Sequence, residues 1–188
     1  VEIPLETKSF SRIAASTVKN VIRQGIREAE RSQLKQEFQS KHNELVTVKV
    51  ISIDAESGNA TVEMGKGESI LLKTEQVPGD FFRKGENARA VISRVDNTNG
   101  NPKIILSRID PAFMQRMLEA EVPEIQDGLI TIHKIARIPG ERAKIAVESY
   151  DERIDPVGAC VGMKGSRVHG IVRELHGENI DVITWTSN

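Results

Sequence analysis

The strongest constraint on the fold is a change of hydrophobic period at Leu45. From there to Ser107, apolar and polar residues alternate in short runs that Gly, Asn and Asp turns separate. Alternation with a period of two is typical of half-buried β-strands. Five strands within about 65 residues leave no room for a crossover helix of normal length, so we expect a closed or nearly closed barrel of the OB type. The five runs are LVTVKVISI, ATVEM, SILLK, ENARAVISRV and KIILS.

Before Leu45 the sequence has the pattern of one long amphipathic helix. From Ser11 to about Phe38, apolar residues recur at three- and four-residue steps, while Arg and Lys take the other face. Ser9 or Ser11 can cap its start. The apolar stripe thins after Ala29 into QLKQEFQSKHN, which has little to pack with, so we expect this end to be a connecting rod.

The last part of the chain predicts the order helix, strand, strand, helix, helix, strand. Asp-Pro pairs at 110–111 and 155–156 begin two helices with an N-cap acid and a proline in the first turn, and Pro123 kinks or ends the first. Ser166 begins another helix, and Gly177 lies where a left-handed C-cap falls. The strands are LITIHKIAR, ERAKIAVES and NIDVITW.

The motif GMKG lies between the last two helices. A triphosphate-binding loop needs a GK[ST] triplet, but Lys164 is followed by Gly165 and only then by Ser166. A dinucleotide fingerprint would follow a strand, whereas a helix precedes this motif. A GXXG turn instead lets a sugar-phosphate backbone approach the main chain at a helix start, as KH domains do with about four nucleotides. The plain alternative is a corner between helices.

Charge is unevenly distributed along a chain whose net charge is −1. Residues 109–188 contain nine Lys and Arg against thirteen Asp and Glu, so a nucleic-acid contact there requires a local basic patch. We expect basic side chains of the strands and of the turn to converge on one edge, although each alone is as simply explained as a solvated charge. The candidate contact residues are Arg137, Arg142, Lys144, Gly162, Met163, Lys164, Gly165, Ser166 and Arg167.

Several other classes of protein are disfavoured. No apolar run approaches the roughly 20 residues that span a bilayer, and no signal peptide opens the chain, so we expect a soluble, cytoplasmic protein without a membrane partner. The lone Cys160 excludes an internal disulfide and a thiolate zinc cluster, and we expect no metal or other cofactor. Cys160 with His169 or His176 suggests a thiol nucleophile and base, but the apolar surroundings of Cys160 favour packing, and we expect no catalysis.

The barrel carries a weaker signal for nucleic acid than the GXXG turn. Lys49, Lys66, Lys73 and Arg94 could contact phosphates. The predicted strands contain no aromatic residue for base stacking, and the two phenylalanines at 81–82 lie in a loop. A structural or protein-binding barrel is an equally good interpretation.

Three segments carry a resemblance to a known family. NPKIILSRIDPAFMQRMLEAEVPEI, GLITIHKIARIPGERAKIAVES and DPVGACVGMKGSRVHGIVRELHGENIDVITW closely resemble the S1 to first-KH region of the NusA family of bacterial transcription termination and antitermination factors. SFSRIAASTVKNVIRQGIREAERSQLKQEF resembles the end of that family's N-terminal domain. The resemblance implies an α+β multidomain chain with an N-terminal domain end and connecting helix at 1–43, an S1 barrel at 44–108 and a type II KH domain (αββααβ) at 109–188.

The resemblance also implies a function. In this family the S1 and KH domains bind nascent single-stranded RNA while the N-terminal domain contacts RNA polymerase, and the protein modulates pausing, termination and antitermination, with other transcription factors as possible partners. By matching position, Gly162 to Gly165 contact RNA, with Arg167 adjacent. The first residue is Val1, and the family's second KH domain does not follow Trp185. We therefore expect part of a longer protein, with weaker RNA affinity than a paired KH platform and doubtful binding to polymerase.

Two other functions stay open at this point. S1 and KH modules also occur in RNA-decay proteins: polynucleotide phosphorylase has them in the reverse order, and exosome cap subunits share the order but not the long helix or DPVGACVG. A protein-interaction scaffold, in which GXXG is only a corner, is the third possibility.

Overall fold

The computed structural model describes residues 7–65, 67–96 and 103–188. A long helix comes first, then a barrel, then a sheet with helices on one face. No helix in these ranges is both long and apolar enough to cross a membrane. The elements are α1 (Thr7–Lys41), β1 (Leu45–Ile53), β2 (Ala60–Met64), β3 (Gly67–Leu71), β4 (Asn87–Asp96), β5 (Lys103–Ser107), α2 (Pro111–Glu121), α3 (Pro123–Gln126), β6 (Ile130–Ile138), β7 (Arg142–Ser149), α4 (Pro156–Val161), α5 (Ser166–Glu174) and β8 (Asn179–Thr184).

The five-stranded barrel predicted from the alternating runs is confirmed. Its strands pair in the order β1-β2-β3-β5-β4, and β1 closes the barrel against β4. The β3–β5 pair is parallel and the other pairs are antiparallel. The period-two residues fill the interior, where side chains such as Val50, Val62, Leu71 and Ile92 are at most 1% exposed. The predicted turn DNTNGN lies almost wholly outside the described residues.

The type II KH order of elements is also confirmed. In the sheet β6-β7-β8, β6 and β7 are antiparallel and β7 and β8 are parallel. Asp110 and Asp155 cap α2 and α4 as predicted, because each side chain accepts a hydrogen bond from the backbone N–H two residues later. Pro123 ends the first helix by beginning α3. The left-handed C-cap position expected at Gly177 is instead taken by His176, which has a φ of +57°, and Gly177 follows it with a φ of +94° and donates its backbone N–H to Val172.

The long helix differs from two expectations. Because α1 already includes Thr7, Ser9 and Ser11 lie inside it, and the prediction that either caps its start is wrong. Its last turns were expected to be an unpacked connecting rod, but Leu34 and Phe38 pack against the hydrophobic core of the barrel. The apolar stripe instead faces solvent. Its exposed members include Ile13, Val18, Val21, Ile22 and Ile26.

The barrel and the KH domain share one hydrophobic cluster. Val77 and Val91 of the barrel belong to the same buried cluster as Phe113 and Met117 of α2 and the helix-facing side chains of β7. Leu45, at the start of β1, packs against this cluster too. The two domains are therefore joined by apolar burial as well as by the chain.

An ion-pair network that we call the interdomain joint (Asp80, Arg89, Arg108, Glu174 and His176) lies beside that cluster. Arg108 donates from Nε to Asp80 Oδ2 at 2.8 Å and from Nη2 to Asp80 Oδ1 at 3.2 Å, and the two side chains are 3% and 0% exposed. Arg108 also donates to the carboxylate and to the backbone carbonyl of Glu174, at the end of α5. The buried arginine thus connects both domains.

The remaining contacts of the joint satisfy the buried carboxylate. Asp80 also accepts a hydrogen bond from the backbone N–H of Val77 at 2.9 Å, and its Oδ1 lies 2.5 Å from Nε2 of His176. Arg89 donates to Glu174 at 3.1 Å. Burial alone would raise the pKa of Glu174, but hydrogen bonds and charge from Arg89 and Arg108 outweigh it and hold that pKa below its ordinary value. Glu174 is therefore ionised at neutral pH.

Replacement of the buried arginine should destabilise the fold strongly. We expect Arg108→Met to lower the free energy of unfolding in urea by about 3–5 kcal/mol, because it leaves the Asp80 carboxylate buried without its cation. Arg94→Met is a matched control, since the Arg94 side chain, which pairs with Glu75, is itself 54% exposed and its loss should cost under about 1 kcal/mol. Equal losses for the two variants would contradict a structural role of the joint.

Candidate nucleic-acid interface

The GXXG turn (Gly162–Gly165) connects α4 to α5 through backbone conformations that favour glycine. Gly162 and Gly165 have φ values of +78° and +76°, and Lys164 between them has a φ of +53°. A single 3-10 turn covers Met163–Gly165, and α5 begins directly at Ser166. Left-handed backbone at both glycines explains why this motif needs them at these two places.

The close packing around Gly162, as well as its positive φ, requires a residue without a side chain. A Cβ built on Gly162 would lie 2.8 Å from Cγ of Arg167 and 3.0 Å from the backbone nitrogen of the same residue. A Cβ on Gly165 would approach the ring of His169 to 3.1 Å. The turn is therefore packed tightly on its inner side, against the first turn of α5.

The outer side of the turn presents two long side chains. Met163 is 85% exposed and Lys164 is exposed. The first turn of α5 reads Ser-Arg-Val-His and so contains no acidic residue. An exposed ammonium beside the positive end of a helix dipole is favourable for an anionic group such as a phosphate.

Arg167 supports the turn from within the domain. Its Nη1 donates to the carbonyl oxygen of Ala159 at 2.6 Å and to Glu124 of α3 at 2.8 Å. The side chain is 30% exposed. Arg167 thus joins the end of α4 to the start of α5 and keeps part of its surface at the predicted site. The partner Glu124, 43 residues away, had no signal in the sequence.

Arg137 lies inside the domain rather than at its surface. Its side chain is 1% exposed, and its Nε lies 3.0 Å from both carboxylate oxygens of the fully buried Glu178. Glu178 also accepts a 2.7 Å hydrogen bond from the backbone N–H of Gly140. Burial lowers the pKa of Arg137 below its ordinary value, although Glu178 opposes that change. Its guanidinium is thus engaged in holding the β6–β7 turn to the start of β8.

Arg142 and Lys144 are exposed, as the alternation in β7 predicts, but the structure does not bring them to the GXXG turn. The intervening Ala143, Ile145 and Val147 face the cluster under the helices, so the two cations lie on the opposite, open face of the sheet. Lys144 lies 3.8 Å from Asp181 of β8, and both side chains are about 60% exposed. The predicted convergence on one edge is therefore not seen.

Cys160 packs in the domain core, as its apolar surroundings predict. It is fully buried in the cluster that also contains Val168 and Ile171. Burial raises the pKa of Cys160 to about 11. His176 lies in the interdomain joint. The described ranges contain no group of three or more His, Cys, Asp or Glu side chains that could hold a metal ion.

The buried thiol should be chemically inert. With a pKa of about 11, roughly one Cys160 side chain in a thousand is ionised at pH 8, and only the thiolate reacts. We expect iodoacetamide to modify native Cys160 at least ~100-fold more slowly than the chain unfolded in guanidinium chloride. Equal rates in the two states would show that the thiol is accessible.

Two glycines, one in the turn and one in α5, should respond oppositely to alanine. We expect Gly162→Ala to destabilise the domain by about 1–3 kcal/mol, because it introduces strain at positive φ and a contact with Arg167. Gly170 lies in α5 with nothing within 4 Å of a built Cβ, so Gly170→Ala should stabilise by about 0.5–1 kcal/mol. Chemical denaturation of both variants tests this, and a neutral Gly162→Ala would refute the packing argument.

Comparisons with known proteins agree on one family. The model for the NusA-like first KH domain matches residues 108–185, and the model for the NusA N-terminal domain matches residues 1–32. Proteins named transcription termination/antitermination protein NusA are 42% identical in Halalkalibacterium halodurans, 41% in Bacillus subtilis and 34% in Thermus thermophilus. Each match covers 100% of this chain and 49%, 50% and 48% of the respective relative, so the chain spans about half the length of these relatives. The chain belongs to the NusA family.

Proposed function

We propose that this chain binds single-stranded RNA through the GXXG turn. The observation that carries the proposal is the turn itself: two glycines in left-handed conformations display Lys164 directly before the start of α5. Such a turn lets the phosphates of about four nucleotides approach backbone N–H groups without interference from side chains. The contact is local, as the acidic balance of residues 109–188 requires.

The predicted site residues divide into three roles in this proposal. Gly162 to Ser166 contact the RNA backbone. Arg167 and Arg137 hold the turn and the sheet in place through their carboxylate partners. Arg142 and Lys144 form a separate basic patch on the open face of the sheet, which only an RNA that passes around β8 would reach.

We further propose that the whole protein acts during transcription. The relatives that match along the full chain are named for termination and antitermination, so the RNA is nascent transcript and the principal protein partner is RNA polymerase. The boundaries 1–43, 44–108 and 109–188 describe the three modules of this part. We assign it no enzymatic step, no cofactor and a cytoplasmic location. The RNA-decay alternative is not favoured, because relatives that match along the whole of this chain carry the transcription name.

Charge reversal in the turn should weaken RNA binding. We expect Lys164→Asp to reduce affinity for a short single-stranded RNA about tenfold or more, because a charge-assisted contact to phosphate is lost. Asp tolerates left-handed backbone, so the turn should keep its conformation. The slope of log K against log salt should fall by about 0.7, which corresponds to one phosphate contact. Fluorescence anisotropy of labelled RNA at several salt concentrations measures both quantities.

Lys19→Glu supplies the matched control. Lys19 is exposed on α1, and this substitution changes the net charge by the same amount. We expect its RNA affinity to stay within about twofold of wild type, because the field of a distant exposed charge is screened. The proposal fails if both substitutions lower the affinity equally, or if neither does.

A further inference from the structure

The loop between β3 and β4 contains Asp80 of the interdomain joint and, directly after it, the exposed aromatic side chain of Phe81. We propose that Phe81 is a second RNA contact, a platform on which one unpaired base stacks while Lys73 binds the adjoining phosphate. This inference rests on the proposed function, because it extends the RNA from the GXXG turn onto the barrel.

Phe81 is the most exposed aromatic side chain among residues whose burial is described. It is 85% exposed, compared with 66% for Tyr150 and 37% for Trp185. Its neighbour Phe82 behaves in the opposite way, since it packs against the barrel core with the guanidinium of Arg108 5.4 Å from its ring centre. Of two consecutive phenylalanines, one anchors the loop and the other is presented to solvent.

The backbone before Phe81 is held firmly in place. Asp80 is fixed by Arg108, by His176 and by the backbone N–H of Val77. A Cβ built on Gly79 would lie 3.4 Å from His176, and one built on Gly140 would lie 3.1 Å from Pro78, so this loop packs on the KH domain at two points. A ring on such a loop loses little conformational entropy when a ligand stacks on it.

One cation lies beside the ring, and two more follow it in the chain. The ammonium of Lys73 lies 5.7 Å from the ring centre, and the Lys73 backbone N–H donates to Asn59 at 2.8 Å. Arg83 and Lys84, both exposed, follow directly in the chain. The nearby Glu75 is paired with Arg94 at 3.1 Å. A flat apolar surface beside cations fits a nucleotide, which combines a stacking base with an anionic phosphate.

The GXXG turn and Phe81 are within reach of one RNA strand. Helix α5 begins beside the turn and ends near the barrel, where His176 contacts Asp80. Its nine residues span about 13 Å at ~1.5 Å per residue. An RNA of twelve nucleotides covers about 40 Å even when its bases stay stacked at ~3.4 Å, whereas about four nucleotides fill the turn alone.

The test compares two RNAs, one of about four nucleotides and one of about twelve, with the complete 188-residue chain. We expect Phe81→Ala to reduce affinity for the longer RNA about 5- to 100-fold, which is the effect of losing one base–aromatic stack. Affinity for the shorter RNA should not change. Chemical shifts of the GXXG amides measure the weak binding of the shorter RNA, and anisotropy measures the longer.

Three variants separate stacking from other effects. Phe81→Leu keeps an apolar side chain without a π-face and should lose affinity like Phe81→Ala, whereas Phe81→Trp should retain it. In a Trp185→Phe background, the fluorescence of Phe81→Trp should be quenched by the longer RNA. Tyr150→Ala removes another exposed aromatic side chain and should have no effect on either RNA.

Each remaining outcome overturns the platform in a recognisable way. If Phe81→Ala binds the longer RNA like wild type while Lys164→Asp still weakens it, the proposed function stands and the ring serves a protein partner or none. If Phe81→Leu retains full affinity, the contact is not aromatic stacking. If the wild-type chain binds neither RNA, the platform and the proposed function fall together.

Discussion

The arrangement of the two globular domains depends on the buried ion pair between Arg108 and Asp80. Removing two charges from water is costly, and it is tolerable only when each polar atom finds a partner in the right direction. Here those partners come from both domains: the barrel supplies Asp80 and its loop, and α5 supplies the carboxylate and the backbone carbonyl of Glu174. Sliding one domain over the other would remove Glu174 and His176 from Arg108 and Asp80, and the buried pair would lose those hydrogen bonds. The loop with Phe81 and the helix that follows the GXXG turn are thereby fixed in one frame.

The same arginines also act on the dipole of α5. Arg108 and Arg89 lie at the carboxyl end of the helix, where positive charge is favourable, and the acid-free first turn lies at the other end. The domain as a whole is acidic, yet Lys164 is exposed in the GXXG turn and the first turn of α5 contains no acidic residue. If the proposed contact at this turn holds, a protein with a net charge near zero needs no wider basic surface to bind a phosphate there.

Local patterns predicted the barrel strands, the caps at Asp110 and Asp155 and the GXXG turn, because each depends on residues that are neighbours in sequence. Partners distant in sequence left no pattern: Arg108 and Asp80 are 28 residues apart, and Arg137 and Glu178 are 41 apart. The alternation in β7 correctly predicted that Arg142 and Lys144 are exposed. It did not indicate that they lie on the face of the sheet opposite the helices. Likewise, Leu34 and Phe38 are the few apolar residues near the end of α1, and they pack because the barrel lies beside them. The spacing of apolar residues along a helix does not reveal such a neighbour.

The shared cluster of Val77, Val91 and α2 makes the stability of the barrel and that of the KH domain depend on each other. A boundary after Arg108 divides the topology cleanly, since the barrel ends there and the KH elements begin. It does not separate two units of independent stability, because Phe113 and Met117 are buried in a cluster that the barrel helps to form. The isolated KH segment would expose part of that apolar surface and lose the partners of Glu174. We therefore expect either domain to be less stable alone than within this chain.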